Sequence, residues 1–371
     1  MKRPFPDNMD IVEQENQKGA SFMRCGHRLF QCLYIALGVT LIAGGLQNFA
    51  IAADQVPRQI RFIVGTGPGG GFDQYARLTA RHMEKHFPGN PSTIVQNMPG
   101  AGGIRALSWL EAAAPQDGSA VATMSSSAVF APLIGIAGAT YDAVKFNYLI
   151  SLDRLPNFLL VWHATPFTSA KDAFDRQIVI ANAPGPTAVM PIMYNRLIGT
   201  KFKVVTGYTG TNDVLMAIER GEGDGAFNLS WSSITSQPRL LNDRLIRVLM
   251  QLTFDPIDDP RLAGVPTLND FVKAGIEKDM LEILLAKDEV GRAIIGPPNM
   301  SADLVRIYRE SLVKIGHDPE FVAEANQRQM PLIIWSGDKV EGFVKRIFAL
   351  PESTVNRLRD EMNKADAEAP K

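Results

Sequence analysis

Three groupings of residues in this chain have the types and spacing to do chemistry. Gly65-Thr66-Gly67-Pro68-Gly69-Gly70 matches G-x-G-x-x-G between an apolar run and a helical pattern. That arrangement can seat a pyrophosphate on a helix N-terminus. A dinucleotide site also needs an acidic residue about 20 positions on to hold the ribose. Here the next strand ends in Val95-Gln96-Asn97 and enters a second glycine loop, and Pro68 is foreign to the tight pyrophosphate turn. No Gly-Lys-Ser/Thr follows the glycines, so this is not a P-loop. His82-Met83-Glu84-Lys85-His86 places two histidines four apart, as on a zinc-binding helix. Met83 stands where a zinc protease needs glutamate, and no third ligand is evident in the sequence. The pair reads as a polar helix flank, and no metal is expected. Ser125-Ser126-Ser127 has no base beside it, and the chain has no G-x-S-x-G. It is either a helix cap at a strand end or a ligand contact. No catalytic residue and no cofactor are assigned.

What remains is a design for binding anions. The stretches 65–72, 97–103, 125–140, 181–187 and 206–212 contain no lysine or arginine. Each precedes a helix whose first N–H groups lack partners and whose dipole turns its positive end outward. Glycines admit close approach, and serine or threonine hydroxyls add donors. Such loops can hold a carboxylate by oriented dipoles instead of a salt bridge. Any one of them could equally be an ordinary βα turn; as a set of five they favour binding. Asp73 suits capping of the first helix at least as well as ligand contact.

The elements that must position these loops follow one rhythm. Ile60-Arg61-Phe62-Ile63-Val64 is a short apolar run that reads as a buried strand, followed by the first glycine loop and a helix from about Asp73 to Phe87. Phe72, Ala76, Ala80, Met83 and Phe87 share one face, and Pro88-Gly89 ends the helix. Strand, loop and helix recur at 93–114, 120–134, 177–198 and 202–220. Such alternation implies parallel α/β sheets, with ligands bound outside the carboxyl ends of the strands. The chain divides near Trp162, after a β-rich segment, and a return crossing is expected around 281–295. The expected lobes are 54–162 completed by 286–371, and 163–285. From Ser301 a helical tail sets Leu304, Ile307, Tyr308 and Leu312 on one face.

Composition is that of a globular chain: 371 residues, 46% hydrophobic and 21% charged, with 38 basic and 39 acidic side chains. It excludes disorder, and the near balance gives no reason to expect nucleic acid. Residues 29–53 carry no charge, follow Arg24 and Arg28, and end in Ala50-Ile51-Ala52. That is the layout of a secretory signal peptide, expected over 1–53. An uncleaved anchor is the alternative, weakened by Gly38, Gly44, Gly45, Gln47 and Asn48. Met23-Arg24 would itself open a compact signal, which makes 1–22 a mis-assigned start or a polar prefix. Both cysteines, Cys25 and Cys32, fall within this segment, so the exported body has none and must rely on its core.

Gly69-Gly70-Gly71-Phe72-Asp73-Gln74-Tyr75-Ala76-Arg77 resembles the first signature of the tripartite tricarboxylate transporter receptors, the Bug family. Asn97-Met98-Pro99-Gly100-Ala101-Gly102-Gly103 resembles the second. Ala114-Pro115-Gln116-Asp117-Gly118, Gly207-Tyr208-Thr209-Gly210, Gly221-Glu222-Gly223-Asp224 and Val265-Pro266-Thr267-Leu268 follow in the family's order. The resemblance implies a two-lobed α/β type II periplasmic binding protein that closes on a small carboxylate. It would act as a monomer and hand its ligand to separate membrane permease subunits of a tripartite tricarboxylate-type transporter. It puts Gly70, Gly71, Phe72 and Asp73 at the ligand's proximal carboxylate, and Pro184, Gly185 and Thr187 opposite, on the other lobe. Ser126, Ser127, Tyr208 and Asn228 complete the expected site, with Trp162, Tyr208 and Trp231 as candidates for apolar walls, each of which could equally be core. The departures are informative. Phe72 replaces a small hydroxyl residue, Ala183 a serine, and Tyr208-Thr209-Gly210 lacks the usual lysine. Together they point to a less polar ligand, aromatic or monocarboxylate. Two rival classes remain: an α/β enzyme acting on a small carboxylate or nucleotide-type ligand, and a cytoplasmic sensor of the same architecture, which the signal peptide disfavours.

Overall fold

A computed structural model describes residues 56–184 and 186–370. The expected signal peptide, both cysteines and Gly185 lie outside the described residues. Among the described residues no helix is long and apolar enough to cross a membrane.

The first half alternates as its pattern predicts: β1 (Gln59–Val64), α1 (Gly71–His86), β2 (Ser92–Asn97), α2 (Ile104–Ala112), β3 (Ala120–Thr123), α3 (Ser126–Phe130) and β4 (Asn147–Ser151). Helix α1 carries Asp73 in its first turn and Lys85 and His86 in its last, each complementing the dipole. It buries Tyr75, Ala76, Leu78, Thr79 and Met83, a face turned somewhat from the expected one: Phe72 and Ala80 are only half-buried. The chain continues through β5 (Asn157–Trp162), α4 (Asp172–Asp175), β6 (Ile178–Ala181), α5 (Pro186–Ile198), β7 (Phe202–Val205), α6 (Thr211–Glu219), β8 (Gly225–Ser230), α7 (Trp231–Thr235), α8 (Pro238–Asn242) and β9 (Ile246–Gln251). It ends with α9 (Ile276–Val290), β10 (Ala293–Gly296), α10 (Ala302–Gly316), α11 (Pro319–Gln327), β11 (Trp335–Ser336), α12 (Gly337–Phe348) and α13 (Glu352–Glu368).

Two sheets result, ordered β11-β4-β10-β3-β1-β2 and β7-β6-β8-β5-β9. In the first, β1, β2, β3 and β4 point one way, while β10 and β11 run against them. In the second only β5 runs against the other four. The reversed strands β5 and β10 follow the two crossings, and each enters the sheet opposite to an element of the βα rhythm. Where the sequence places the boundary after Trp162, β5 already pairs in the second sheet. The return is also different in kind. Residues 276–290 form a helix, because Met280, Leu281, Ile283, Leu285, Ala286 and Val290 recur at helical spacing and are buried; only 293–296 is strand. The tail face of Leu304, Ile307, Tyr308 and Leu312 is buried as expected. Helix α13 closes over α5, where Arg196 pairs with Glu361 at 2.7 Å and Glu368 at 2.6 Å. One apolar core accordingly runs from Ile63 and Tyr148 in the first sheet through Ile283 and Leu358 to Ile180 and Phe227 in the second.

Candidate ligand-binding site

The first glycine loop leaves β1 at Gly65 and reaches α1 through Gly69, whose φ of +83° suits glycine. Asp73 holds this loop in shape. Its carboxylate accepts from the Gly69 N–H at 2.9 Å, from Arg77 Nε at 2.8 Å and from Asn97 Nδ2 at 2.9 Å. Asn97 Nδ2 also donates to the Thr66 carbonyl, and Asn97 Oδ1 accepts from Arg77. The two glycine motifs are thus tied by one Asp73–Arg77–Asn97 triangle. The Arg77 hydrogen bond, with those from Gly69 and Asn97, lowers the Asp73 carboxyl to about 2. Asp73 thus ties the first glycine loop to the second. Gly70, Gly71 and Phe72 remain at the surface of the turn with the first N–H groups of α1.

A cation stands beside them that the loop sequences do not contain. Arg292, just before β10, lays its guanidinium against Gly71, where a Cβ would meet Nη1 at 2.6 Å. The guanidinium sits over the rings of Tyr75 at 4.6 Å and Phe72 at 5.0 Å. Its Nε donates to Asp153 Oδ2 at 3.2 Å. Among the described residues neither Nη has an acceptor, and the side chain is 17% exposed. Asp153 is 2% exposed, and burial pushes its carboxyl up to about 7 although Arg292 and Tyr75 pull it down. This arginine arrives from the return crossing, outside the five loops.

The path continues along the first lobe. Ser126 is buried and donates its hydroxyl to the Gly291 carbonyl, next to Arg292, so its Oγ fastens α3 to the crossing. Ser127 opens into a cavity of about 490 Å³ with Thr187 and Asn228 of the second lobe. The wall is mostly apolar: Phe130, Ile134, Val189, Met190, Met193, Ile283, Leu284, Leu358 and Met362, with Lys287, Asn363 and Asp366 as further polar members. Asn228 has φ +66°, a region that asparagine tolerates better than most residues. Its Oδ1 is buried with no partner among the described residues. A buried acceptor without a partner costs stability, and Asn228 borders the cavity through its other atoms. Thr187 Oγ1 donates to the Ala183 carbonyl at 2.7 Å, and Asn182 Nδ2 to the Thr187 carbonyl at 2.8 Å, which together shape the turn into α5.

Three comparisons bear on this arrangement. No family model matches the chain. A TctC solute-binding protein from Polaromonas, solved without ligand, superposes with a TM-score of 0.64, covering 81% of this chain and 98% of that one at 18% identity. The fold is that of a TctC solute-binding protein. R. palustris Rpa4515, solved with adipate, is 19% identical over 85% of this chain and 99% of its own, with a TM-score of 0.49. In sequence, the UPF0065 protein in the gbd 5' region of Cupriavidus necator is 25% identical over 308 residues, 76% of this chain and 88% of that protein. The two-sheet α/β architecture is thus the periplasmic binding type, and the chain resembles the tripartite tricarboxylate receptors in fold as well as in its glycine motifs.

Against that fold the expected site residues divide. Ser127, Thr187 and Asn228 meet at one cavity; Gly70, Gly71 and Phe72 gather at the α1 start with Arg292; Asp73 and Ser126 are framework. Pro184 is exposed on its turn, and Gly185 lies outside the described residues. Tyr208 does not line the cavity: its hydroxyl donates to Glu222 at 3.1 Å and its ring packs on the second core. Trp231 is core, 4% exposed, with its Nε1 donating to Asp259 and its ring against Phe158. Trp162 packs on the same core beside His163 and does not line the cavity either.

Proposed function

We propose that this protein is an exported, non-catalytic receptor for a small carboxylate. The observation that carries this is the convergence of Ser127 from one lobe with Thr187 and Asn228 from the other on a single, mostly apolar cavity. Contacts made from both lobes at once favour the closed state over the open one, which is how ligand drives closure. The carboxylate is assigned to the α1 N-terminus beside Arg292, where oriented N–H groups and a guanidinium act together. The apolar wall suits a ligand body with little polarity, an aromatic or monocarboxylate one, in line with Phe72 and Ala183 replacing hydroxyl residues. Delivery to a tripartite tricarboxylate-type permease, a periplasmic location, action as a monomer and the lobe limits of 54–162 with 286–371 and 163–285, shifted to admit β5, belong to this same reading. Mass spectrometry of small molecules released from natively purified protein tests it. A carboxylate near one per chain is expected; a nucleotide in that role would replace this reading with the enzyme or sensor class.

A further inference from the structure

The sequence sets His82 and His86 one turn apart on α1 and offers them no third ligand nearby. The fold does. Asp318, the N-cap of α11, lies 232 residues from His86 in sequence and 2.6 Å from it in space, Oδ2 to Nε2. One donor atom from each of His82, His86 and Asp318 lies within 4.8 Å of the other two. We propose that these three residues bind a divalent transition-metal ion of the zinc class and fasten α1 to α11. The proposal stands apart from the carboxylate site and does not rest on it.

Two imidazoles and a carboxylate are the donor set that favours zinc over magnesium or calcium, which take oxygen ligands. A tetrahedral ion with bonds of about 2.0–2.2 Å asks for ligand separations of about 3.3–3.5 Å. Small side-chain rotations reach these from the observed spacing. The ligands are already oriented from behind. Asp318 Oδ1 accepts from the Glu320 N–H at 2.7 Å and the Phe321 N–H at 3.4 Å, which leaves Oδ2 to the histidines. The His82 ring stands edge-on to Phe321 at 5.3 Å. Such outer contacts fix ligand geometry and strengthen metal binding. The three side chains are 11%, 17% and 7% exposed, sheltered yet open to an ion from solvent. Glu324 Oε2 lies 3.4 Å from His82 Nε2, but its carboxylate is held by Arg81 and Arg328, which leaves the fourth position to water. One group competes: Lys85 Nζ lies 3.1 Å from Asp318 Oδ2. Lys85 is half-exposed and also pairs with Glu320 at 2.8 Å, so it can yield Asp318 and keep a partner.

The test uses tag-free, chelator-stripped protein titrated with zinc chloride by calorimetry, with thermal unfolding followed in parallel and magnesium chloride as a second probe. One zinc per chain and a raised unfolding midpoint are expected, with no response to magnesium. His82→Gln and His86→Gln should each weaken zinc binding by about 100-fold, while Lys85→Gln, which removes the competitor, should tighten it. A folded protein that takes up no zinc, or binding unchanged in the His82→Gln/His86→Gln double variant, would overturn the site and leave the cluster as an interhelical ion pair. Circular dichroism of each variant separates lost binding from lost fold.

Discussion

Replacing Asn228 by glycine should move stability and affinity in opposite directions. The side-chain oxygen is buried without a partner among the described residues, and an orphaned acceptor of that kind costs about 1–3 kcal/mol. Removing it returns that cost, and glycine accepts φ +66° without the clash a Cβ meets there. Against this stands the extra chain entropy that a glycine loses on folding, about 0.5–1 kcal/mol. The side chain already borders an open cavity, so little packing is lost. The net expectation is a gain of about 1 kcal/mol, or a rise of about 2 °C in Tm for a domain of this size. Affinity should fall, because Asn228 lines the cavity and a neutral hydrogen bond from its Nδ2 to a ligand oxygen is worth about 1–1.5 kcal/mol, about 5- to 12-fold in Kd. Calorimetric titration and thermal unfolding of the same preparations measure both. A variant that loses stability while binding unchanged would refute the reasoning and make Asn228 a structural residue.

Two further outcomes follow from the cation beside Gly71. Arg292→Gln should weaken carboxylate ligands about 10- to 100-fold, the worth of a charge-assisted hydrogen bond, and hardly affect their amides; equal losses for acid and amide in parallel titrations would contradict it. Binding should also tighten as pH falls from 8 to 6. The folded Asp153 carboxyl titrates at about 7, above its ordinary 3.8, so acid neutralises it and leaves Arg292 uncompensated for the ligand. By linkage the native state holds more protons than the unfolded chain between about pH 4 and 7, so this carboxyl's contribution to stability is full below that window and lost as pH rises through it. Titrations in buffers of different ionisation heat should report proton uptake near pH 7, and Asp153→Asn should abolish it.

Much of the first lobe was legible because its signals are local. The runs 60–64 and 120–123, the glycine loops between them and the apolar stripe of 304–312 each announce themselves within a few residues, and the structure has β1, β3 and α10 there. Of the expected site residues, Ser127 and Thr187 lie in two of the five stretches and Asn228 lies in β8, and all three line the cavity. What could not be read locally is the long-range part. Arg292 reaches Gly71 only because the chain returns to the first sheet after α9, and Asp318 reaches His86 by the same return. Loop composition alone therefore could not show that Arg292 stands beside Gly71 or that Asp318 meets His86. The strands β5 and β10 are as apolar as their neighbours, so nothing in their residues signals that they run antiparallel. For Trp162, Tyr208 and Trp231 the sequence leaves wall and core open, and the structure packs all three on the second core, with Trp231 also at the edge of a separate cavity.

The central claim is that the cavity and the α1 start beside Arg292 together bind a small carboxylate and release it unaltered. Its most direct test is a calorimetric titration of ligand-stripped protein against benzoate, phenylacetate, adipate, malate and citrate, each beside its amide, with the ligand recovered afterwards. The account predicts saturable binding of at least one of the less polar acids, one per chain, loss of that binding in the amide, and recovery of the acid unchanged. Binding confined to citrate would contradict the apolar assignment, and indifference to the amide or conversion of the acid would contradict the receptor itself.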